Sequence, residues 1–309
     1  MRIYLNPNCD YGKGQSKWQK IERPLRLRFG EFRFEEIRSP LALNTQVEKA
    51  VEEGERVFIA AGGDGTVNLL LNALMNSSYP AKEEFIFGAV GLGSSNDFHK
   101  PFRPETFIEG IPTRMNWQRT IATDVIRVRY TEAQNEFLAR YCIINASIGI
   151  TAQANALYNS QNPFIVRIQR ISHEAAVIAS ALTTIFTYRN IPCALTLEEA
   201  KPRRFSITNL GVIKNPHFAG GLCYDTSVRA DDGKLGVNLS SDMTRKEAIR
   251  TMVQLYQRKF HGQPKTYSWF VKKLMIASSS LFDLEMDGEV VRANRAEFKL
   301  ISKAMRCCQ

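Results

Sequence analysis

The sequence contains no run of apolar residues long enough to span a membrane. A membrane-spanning helix needs about 18 consecutive apolar residues, and no segment of the 309-residue chain approaches that length. The first residues, "MRIYLNP", lack the features of a secretory signal peptide and instead have the pattern of a first β-strand. We therefore expect a cytoplasmic protein.

Cysteine and histidine spacings typical of metal or redox modules are also absent. The 6 cysteines include no C-x-x-C pair, and no histidine lies at zinc-site spacing from them. This pattern excludes the common zinc modules and predicts buried or unreactive thiols. Internal repeats and low-complexity segments are lacking too, which argues against a solenoid or a disordered chain.

Basic residues are abundant, but they form no dense cluster. Lysine and arginine total 41 against 31 acidic residues, which gives a formal net charge of +10. This charge favours acidic partners such as nucleotide phosphates, an anionic membrane surface or nucleic acid. The basic residues occur in scattered pairs and no nucleic-acid-binding module is recognisable, so we expect no nucleic-acid partner.

The first 120 or so residues alternate β-strand and α-helix patterns. Apolar strands such as "RIYLN", "RVFIAA" and "FIFGAV" are separated by helical segments, one of them over 44–53. Such alternation predicts an α/β domain with a Rossmann-like parallel sheet. Polar loops follow three strands, at 6–14, 62–66 and 91–97. Because ligands of such sheets bind beyond the carboxyl ends of the strands, we expect the loops to converge.

From about Asp124 the pattern becomes mainly β. Short strands with few helices between them predict a sandwich or barrel-like domain over residues 121–309. One interrupting helix is predicted from Phe164 to Phe186, and another begins at Thr244, where Glu247 completes a capping box. The first helix carries an apolar stripe that we expect to pack in the core. The stripe consists of Ile168, Ile171, Ala175, Ile178 and Leu182.

A glycine-rich loop, "GGDGTVN", joins the strand "RVFIAA" to an amphipathic helix. Unpaired N–H groups and the positive dipole end of a helix suit a phosphate. The loop is not a Walker A motif because no G-K-[ST] follows it, but Asp64 offers an oxygen ligand near a magnesium–nucleotide complex. A tight turn that binds nothing would need the same glycines, so both interpretations stay open for this motif alone.

Two later motifs add polar and acidic groups. The loop "GLGSSNDF" places Ser94, Asn96 and Asp97 directly after a strand, and "MDGE" places Asp287 and Glu289 on either side of a glycine. A carboxylate beside a bound phosphoryl donor can take the proton of an attacking hydroxyl. The order of the three motifs is more specific than any one of them.

That order resembles the soluble bacterial diacylglycerol kinase family, relatives of sphingosine and ceramide kinases. The family shows N-P-x-[ST]-G-x-G, G-G-D-G-T, G-T-x-N-D-F, D-G-x-L and a late D-G-E, and this chain has "NPNCDYGKG", "GGDGT", "GSSNDF", "DGKL" and "DGE". The resemblance implies an ATP- and magnesium-dependent lipid kinase, with ATP bound by residues 1–120 and the lipid by residues 121–309. The acceptor would be diacylglycerol or a related acyl lipid, reached by transient peripheral contact with a membrane. A homodimer stays open.

The resemblance also implies roles for individual residues. Asp64, Asp97 and Asp124 would form the carboxylate and water network around the catalytic magnesium. Asp287 and Glu289 would lie near the attacking hydroxyl, one of them as its proton acceptor. The residues expected to contact ATP are Asn6, Pro7, Gly12, Gly14, Ser39, Gly62, Gly63, Asp64, Gly65, Thr66, Asn68, Ser94, Asn96, Asp97 and Asp124.

A separate structural magnesium is implied at the sequence "ADDGKL". Its ligands would be the carboxylate of Asp232 and the backbone carbonyls of Arg229 and Lys234. A D-D-G sequence before an apolar strand also forms a simple turn without any metal. Both interpretations of this segment stay open.

The chain departs from the family pattern at three places. The first loop is two residues longer and carries Cys9 and Asp10, Ser94 replaces a threonine, and His99 follows "NDF" where a small residue is usual. We expect no catalytic role for His99, because nothing near it in sequence forms a triad.

Two rival functions remain. NAD kinases share G-G-D-G, but their T-P-T-G-S-T-A-Y stretch is absent from this sequence. A regulatory protein that binds nucleotide without turnover is the second rival, and the presence of Asp64, Asp97, Asp287 and Glu289 argues against it.

Overall fold

The computed structural model describes residues 1–132, 136–160 and 162–309, which form two compact units. Unit 1 contains residues 1–125 and 301–309, and unit 2 contains residues 126–300. The change of pattern along the sequence predicts one boundary near residue 120, with the whole C-terminal part in the second domain. The last nine residues instead return to unit 1, because Arg306 and Cys307 pair in parallel with Ile86 and Phe87.

Unit 1 has the alternating strands and helices that the sequence predicts. Its strands are β1 (Arg2–Leu5), β2 (Arg33–Glu36), β3 (Val57–Gly62), β4 (Ile86–Gly91), β5 (Phe107–Ile108), β6 (Ile111–Arg114) and the start of β7 (Thr120–Thr131). Its helices are the short turn α1 (Cys9–Gly12), α2 (Gly14–Phe29), α3 (Pro40–Glu52) and α4 (Asp64–Met75), with 3-10 turns at Lys82–Glu84, Asp97–His99 and Pro104–Thr106.

The central strands of unit 1 run parallel in the order β2-β1-β3-β4. Short apolar strands can be buried on both faces because helices cover a parallel sheet, and Ile3, Ile59 and Val90 are fully buried. They share one core with Trp18 and Ile21 of α2. In parallel strands all carboxyl ends lie at the same edge, so the loops after β1, β3 and β4 emerge side by side.

Unit 2 is mainly antiparallel β. Its strands are the end of β7, then β8 (Phe137–Cys142), β9 (Asn145–Gly149), β10 (Ile191–Leu197), β11 (Arg203–Ile213), β12 (His217–Phe218), β13 (Leu222–Cys223), β14 (Leu235–Ser241), β15 (Thr266–Val271), β16 (Lys273–Met286) and the first part of β17 (Glu289–Cys308). Its helices are α5 (Ile150–Asn159), α6 (Pro163–Gln169), α7 (His173–Thr187) and α8 (Arg245–Tyr256).

The strands of unit 2 form a barrel-like sheet in the order β15-β14-β11-β10-β16-β17. Strand β9 also pairs with both β11 and β16, beyond the end of β10. Alternate residues of these strands face one apolar core, in which Ile148, Leu210, Leu239 and Leu284 are fully buried. The mainly β architecture that the sequence predicts for this part of the chain is confirmed.

The helices of unit 2 differ from the prediction. Helix α5 was not predicted, and the segment predicted as one helix from Phe164 to Phe186 is two, α6 and α7. The break has a local cause, because Ser172 accepts the N–H of Ala175 (3.2 Å) and so caps a new helix. The capping box of Thr244 and Glu247 at the start of α8 is confirmed.

The apolar stripe predicted to pack in the core lies largely at the surface. Ile171 is 83% exposed and Ile178 is 38% exposed. Helix α7 instead buries Ala176, Ser180, Thr184 and Ile185, and it packs against α5. The core prediction for this stripe was therefore wrong. Among the described residues, no helix has the length and apolar character needed to cross a membrane.

Candidate functional site

The loops after β1, β3 and β4 are tied together by side-chain hydrogen bonds. Asn6, directly after β1, donates from Nδ2 to Oγ1 of Thr66 in the first turn of α4 (3.1 Å). The backbone N–H of Asn6 also bonds to the carbonyl of Ala61 in β3 (2.9 Å). The first and second of the predicted loops are thus in direct contact.

Two glycines allow the second and third loops to touch. A Cβ atom on Gly93 would lie 2.4 Å from Cα of Gly63, which is closer than any real Cβ contact. A Cβ atom on Gly62 would lie 2.2 Å from Oγ1 of Thr66. The contact between the second and third loops therefore requires glycine at Gly93, whereas Gly62 leaves room for the side chain of Thr66 at the start of α4.

Asp64 joins the second and third loops through its carboxylate. Its two oxygens accept the backbone N–H groups of Asp97 and Phe98, both at 3.0 Å. These N–H groups begin the 3-10 turn Asp97–His99, so Asp64 acts as a cap supplied by another loop. The predicted magnesium-network residue is thus also a structural clamp within unit 1.

Asn96 shapes the third loop from within. It has a left-handed backbone conformation (φ 50°), which asparagine tolerates better than most residues. Its side-chain amide donates to the carbonyls of Gly91 (3.1 Å) and Gly93 (3.0 Å), and its oxygen accepts the N–H of Gly93 (3.1 Å). Asn96 is buried, and these bonds hold the third loop in shape.

Two lysines that the sequence analysis missed also belong to this loop cluster. Lys17 donates to the carbonyl of Leu92 (2.9 Å) and pairs with Asp10 (2.9 Å), so it joins the first and third loops. Lys100 is buried and lies 2.6 Å from a carboxylate oxygen of Asp97. The only sequence signal for Lys17 is its place one helical turn after the glycines of "YGKGQSK".

The remaining residues expected at ATP have varied surroundings. Gly14 and Asn68 are buried, Ser94 and Gly12 are exposed, and Pro7, Gly63 and Gly65 are partly exposed. The hydroxyl of Ser39 accepts the N–H of Ala42 (3.1 Å), so Ser39 is the N-cap of α3.

Asp124 is fully buried in unit 1. One of its carboxylate oxygens accepts the N–H of Lys303 (2.9 Å) and the hydroxyl of Ser302 (3.3 Å). The carboxylate thus holds the segment by which the chain re-enters this unit. The sequence offered no signal for a contact between residues so far apart.

His99 lies in the same loop cluster but is buried in a largely apolar setting. It is 3% exposed, and neither ring nitrogen has a hydrogen-bond partner among the described residues. Burial, and then the nearby charge of Arg114, lower the pKa of His99 to about 3. A neutral, enclosed imidazole is compatible with the expectation that His99 is not catalytic.

In unit 2, Asp287 is held by three backbone N–H groups. Its carboxylate accepts those of Ile143 (2.8 Å), Ile144 (3.0 Å) and Asn145 (2.9 Å), and the residue is 2% exposed. The sequence "FLARYCIINAS" has the pattern of one continuous strand. The structure breaks it between β8 and β9, and the N–H groups of this break are those that bind Asp287.

Glu289 and Glu285 flank Asp287 in very different surroundings. Glu289 is exposed at the start of β17. Glu285, which the sequence analysis did not consider, is 4% exposed and accepts the hydroxyl of Ser147 (2.7 Å) and the N–H of Gly288 (2.6 Å). Glu285 therefore supports the turn that carries the two predicted acids.

A small cavity borders Asn145 and Ser147. It is lined by polar Asn145, Ser147 and Thr151 and by apolar Ile213 and Phe218, among others. Its volume of about 10 Å³ corresponds to roughly one water molecule. Drug-sized ligands occupy pockets of about 300–1,000 Å³, so this cavity cannot hold an acyl chain.

A lysine ammonium contacts the segment that is predicted to bind a structural magnesium. Nζ of Lys214 lies 2.6 Å from Oδ1 of Asp232 and 2.8 Å from the carbonyl oxygen of Lys234. Its side chain is only 1% exposed. Two of the three predicted metal ligands thus bind one ammonium group.

The carboxylates of unit 1 do not form a direct metal cage. No group of three or more histidine, cysteine, aspartate or glutamate residues in the described parts of the chain could hold a metal ion. Asp64 and Asp97 accept N–H and ammonium donors, as described above. The residues are compatible with a magnesium ion that arrives with ATP and keeps water and phosphate oxygens as most of its ligands.

Two family models match the chain in succession. Residues 1–128 match the diacylglycerol kinase catalytic domain. Residues 145–309 match the YegS C-terminal NAD kinase beta sandwich-like domain. No curated protein matches the sequence.

Solved structures share the fold over almost the whole chain. A candidate diacylglycerol kinase from Bacillus anthracis str. Sterne has a TM-score of 0.71 and 15% identity, covering 99% of this chain and 96% of the other. Another structure, described as a diacylglycerol kinase from the same organism, has a TM-score of 0.66 and 13% identity, covering 99% and 95%. At these identities the likeness shows the fold alone.

Proposed function

Because the chain belongs to the diacylglycerol kinase family, with a second domain of the YegS C-terminal type, we propose that it transfers the γ-phosphate of ATP to a lipid hydroxyl. Family membership implies a phosphotransferase. The finer steps, ATP as donor and diacylglycerol or a related acyl lipid as acceptor, are our proposal. The observation that carries it is the interlocked cluster of three loops at the carboxyl ends of β1, β3 and β4.

The loop cluster supports nucleotide binding in unit 1. Ligands of open parallel sheets bind at this edge, and we infer that the sheet is of the Rossmann-like kind. The first turn of α4 directs N–H groups and a partial positive charge outward. Lys17 and Lys100 also lie in the cluster, where they are paired with Asp10 and Asp97. The sheet edge and the start of α4 together favour an anionic ligand such as a triphosphate.

Positioning and charge stabilisation would account for most of the catalysis. In phosphoryl transfer the attacking and leaving oxygens lie roughly in line, and the protein mainly aligns them. Magnesium bound with the nucleotide would neutralise charge on the phosphate oxygens. Asp64 would keep the second and third loops in register around the phosphates, because its carboxylate bonds to N–H groups of Asp97 and Phe98.

The acids of unit 2 would act on the acceptor. Asp287 is fixed in one orientation by three N–H donors, and Glu289 is exposed. One of the pair would accept the hydroxyl proton as the oxygen attacks phosphorus. Glu285 would position the turn between them through its bond to the N–H of Gly288.

A transfer assay with labelled ATP tests the proposal. The purified protein is incubated with diacylglycerol in mixed micelles, with NAD, and with buffer alone. We expect a labelled lipid in the first tube and none in the others. A labelled product in the NAD tube only would favour the NAD kinase rival, to which the description of the second domain also points. ATP binding without product in any tube would favour the regulatory rival.

A further inference from the structure

We propose that the ammonium group of Lys214 is the permanent cation of the D-D-G turn, in place of the structural magnesium that the family resemblance implies. The two cations would compete for the same oxygens. Nζ of Lys214 already contacts Oδ1 of Asp232 (2.6 Å) and the carbonyl oxygen of Lys234 (2.8 Å). A metal ion bonded to both oxygens would have to occupy nearly the same space.

The position of Lys214 is set by the sheet. It follows the last residue of β11, Ile213, which pairs with Gly236 of β14. The turn that contains Asp232 leads directly into β14. The backbone of the lysine therefore lies beside the turn. Its N–H holds it there through a hydrogen bond to the carbonyl of Ile144 (2.9 Å).

The surroundings suit an ammonium ion better than magnesium. Magnesium needs near-octahedral geometry at about 2.0–2.1 Å and usually keeps several waters, whereas the lysine side chain is 1% exposed. A buried ammonium is tolerated when it is paired and hydrogen-bonded. Both conditions are met here, because the ammonium group is paired with Asp232 and also donates a hydrogen bond to a carbonyl oxygen.

The third predicted ligand is also engaged elsewhere. The carbonyl of Arg229 accepts the N–H of Asp232 (3.5 Å), and the N–H of Arg229 donates to Oδ2 of Asp232 (3.0 Å). The N–H of Lys234 donates to Oδ1 (3.1 Å). Burial would raise the pKa of Asp232, but the hydrogen bond from Lys214 and these backbone bonds outweigh it and lower the pKa. The carboxylate is satisfied without a metal.

A double-mutant cycle measured without nucleotide tests the pair. Lys214→Met, Asp232→Asn and the double variant are compared by melting temperature in EDTA. We expect each single variant to melt several degrees lower, and the double variant to lose clearly less than the sum. Lys234→Met is the matched control, because it removes a lysine charge from the same turn and keeps the backbone carbonyl. Additive losses would overturn the pairing.

Metal binding is tested on the wild-type protein, so that a failure of the variants to fold leaves the proposal testable. A crystal soaked in Mn²⁺ should show no anomalous peak within bonding distance of Asp232. Replacing EDTA by Mg²⁺ should shift the melting temperatures of wild type and Asp232→Asn equally. A manganese peak on Asp232, or a stabilisation by Mg²⁺ that Asp232→Asn abolishes, would overturn the proposal.

A second observation independently carries a proposal about the surface of unit 2. We propose that the exposed apolar face formed by α6, α7 and the turn between them docks on an anionic membrane surface. This face consists of Phe164 (62% exposed), Ile171 (83%), Ile178 (38%) and Phe186 (55%). The docking proposal rests on the proposed function in one respect, since a kinase of acyl lipids must reach its acceptor at a bilayer.

Charge complementarity favours a membrane as the occupant. Arg167 and Arg170 are exposed beside Phe164 and Ile171, and the whole chain has a formal net charge of +10. Helices that combine exposed aromatic and aliphatic residues with arginine lie in the headgroup region of anionic bilayers. Helix α7 contains a single acidic residue, Glu174, in its first turn.

Vesicle sedimentation tests the docking surface. Wild type should sediment with phosphatidylcholine vesicles that contain phosphatidylglycerol, and much less with phosphatidylcholine alone. Phe164→Asp/Ile171→Asp should lose most of this binding. Leu27→Asp is the matched control, because Leu27 is 80% exposed on α2.

The outcomes separate docking from catalysis. Binding that depends on Phe164 and Ile171 supports the docking surface even if no lipid is phosphorylated, which would count against the proposed function alone. Unchanged binding of the double variant would overturn the proposal. A dimer in sedimentation velocity that this variant converts to monomer would assign the face to a second copy instead, and would also overturn it.

Discussion

Carboxylates that bind backbone N–H groups shape both candidate sites at the scale of single residues. Asp64 accepts two such groups in unit 1, and Asp287 accepts three in unit 2. The motifs placed both acids correctly near glycine turns. They gave no indication of the N–H partners, because Asp64 and Asp97 are 33 residues apart in sequence and meet only through the fold.

Substitutions of the two acids in the D-G-E turn should have different effects, one on both stability and activity and the other on activity alone. Asp287→Asn places an amide against three N–H donors, which should lower the free energy of unfolding by about 1–3 kcal/mol and reduce activity. Glu289→Gln should reduce kcat by about 10²–10⁴-fold if Glu289 is the base, with an unchanged melting temperature because the side chain is exposed. Lipid phosphorylation rates and thermal melts of both variants check this.

The same data assign the base. A loss of kcat in Glu289→Gln together with residual activity in Asp287→Asn would assign the base to Glu289, and the reverse would assign it to Asp287. Glu199→Gln is the matched control, since Glu199 is an exposed acid of unit 2. Normal rates in both variants would contradict the acid-pair assignment altogether.

Asp64→Asn should weaken the use of magnesium–ATP. The amide group can accept only at its oxygen, so one of the N–H groups of Asp97 and Phe98 would lose its acceptor. A hydrogen bond to a charged group contributes about 1.5–3 kcal/mol, so kcat/KM for ATP should fall by about 10- to 100-fold. Initial rates at several ATP and Mg²⁺ concentrations measure the effect, with Asp231→Asn, at a partly exposed acid of unit 2, as the control. Wild-type kinetics would show that the loop clamp is irrelevant to ATP use.

Helices and strands were predictable where their signals are local. The parallel strands of unit 1 follow from short apolar runs separated by helical periodicity, and the start of α8 follows from its capping box. The break between α6 and α7 was missed because apolar residues continue through it, although Ser172 is a good N-cap. Which face of α7 is buried depends on its packing against α5, α6 and α8, which the sequence of the helix alone does not show.

The capping box of α8 should make its stability sensitive to acid. The N–H of Thr244, and then Lys265 and the hydroxyl of Thr244, lower the pKa of Glu247 to about 2. A lowered carboxyl pKa means that the stabilisation is complete above the pKa of the unfolded chain, about 4.3, and is lost as the pH falls toward 2. Glu247→Ala should therefore lower the melting temperature at pH 7, and the difference from wild type should shrink below about pH 4.3.

Glu247→Gln separates the two interactions in this cap. Glutamine keeps the hydrogen bond to the N–H of Thr244 but loses the ion pair with Lys265 (2.9 Å). Its melting temperature should lie between those of wild type and Glu247→Ala at pH 7. A wild-type melting curve for Glu247→Ala at neutral pH would show that the box contributes nothing measurable.

At the scale of the whole molecule, the feature that the sequence could not reveal is the return of the chain to unit 1. Strand β17 is 20 residues long, and its last part belongs to a different unit from its first part. Its sequence has a continuous strand pattern. No local signal at Ile301 indicates that the strand changes its pairing partners there. Pairing between segments more than 200 residues apart is determined by the complete fold.

The returning segment should be essential to unit 1. The N–H of Arg306 bonds to the carbonyl of Phe85 (2.9 Å), and the N–H of Lys303 donates to the carboxylate of buried Asp124 (2.9 Å). Arg306→Pro removes this N–H and leaves a carbonyl without its donor, at a cost of about 1–3 kcal/mol. Arg306→Ala keeps the backbone and loses only the side-chain bond to Thr120 (2.9 Å), so it is the control. Hydrogen exchange of β3 and β4 should rise in the proline variant and stay near wild type in the alanine variant, and equal protection in all three proteins would contradict the role given to this segment.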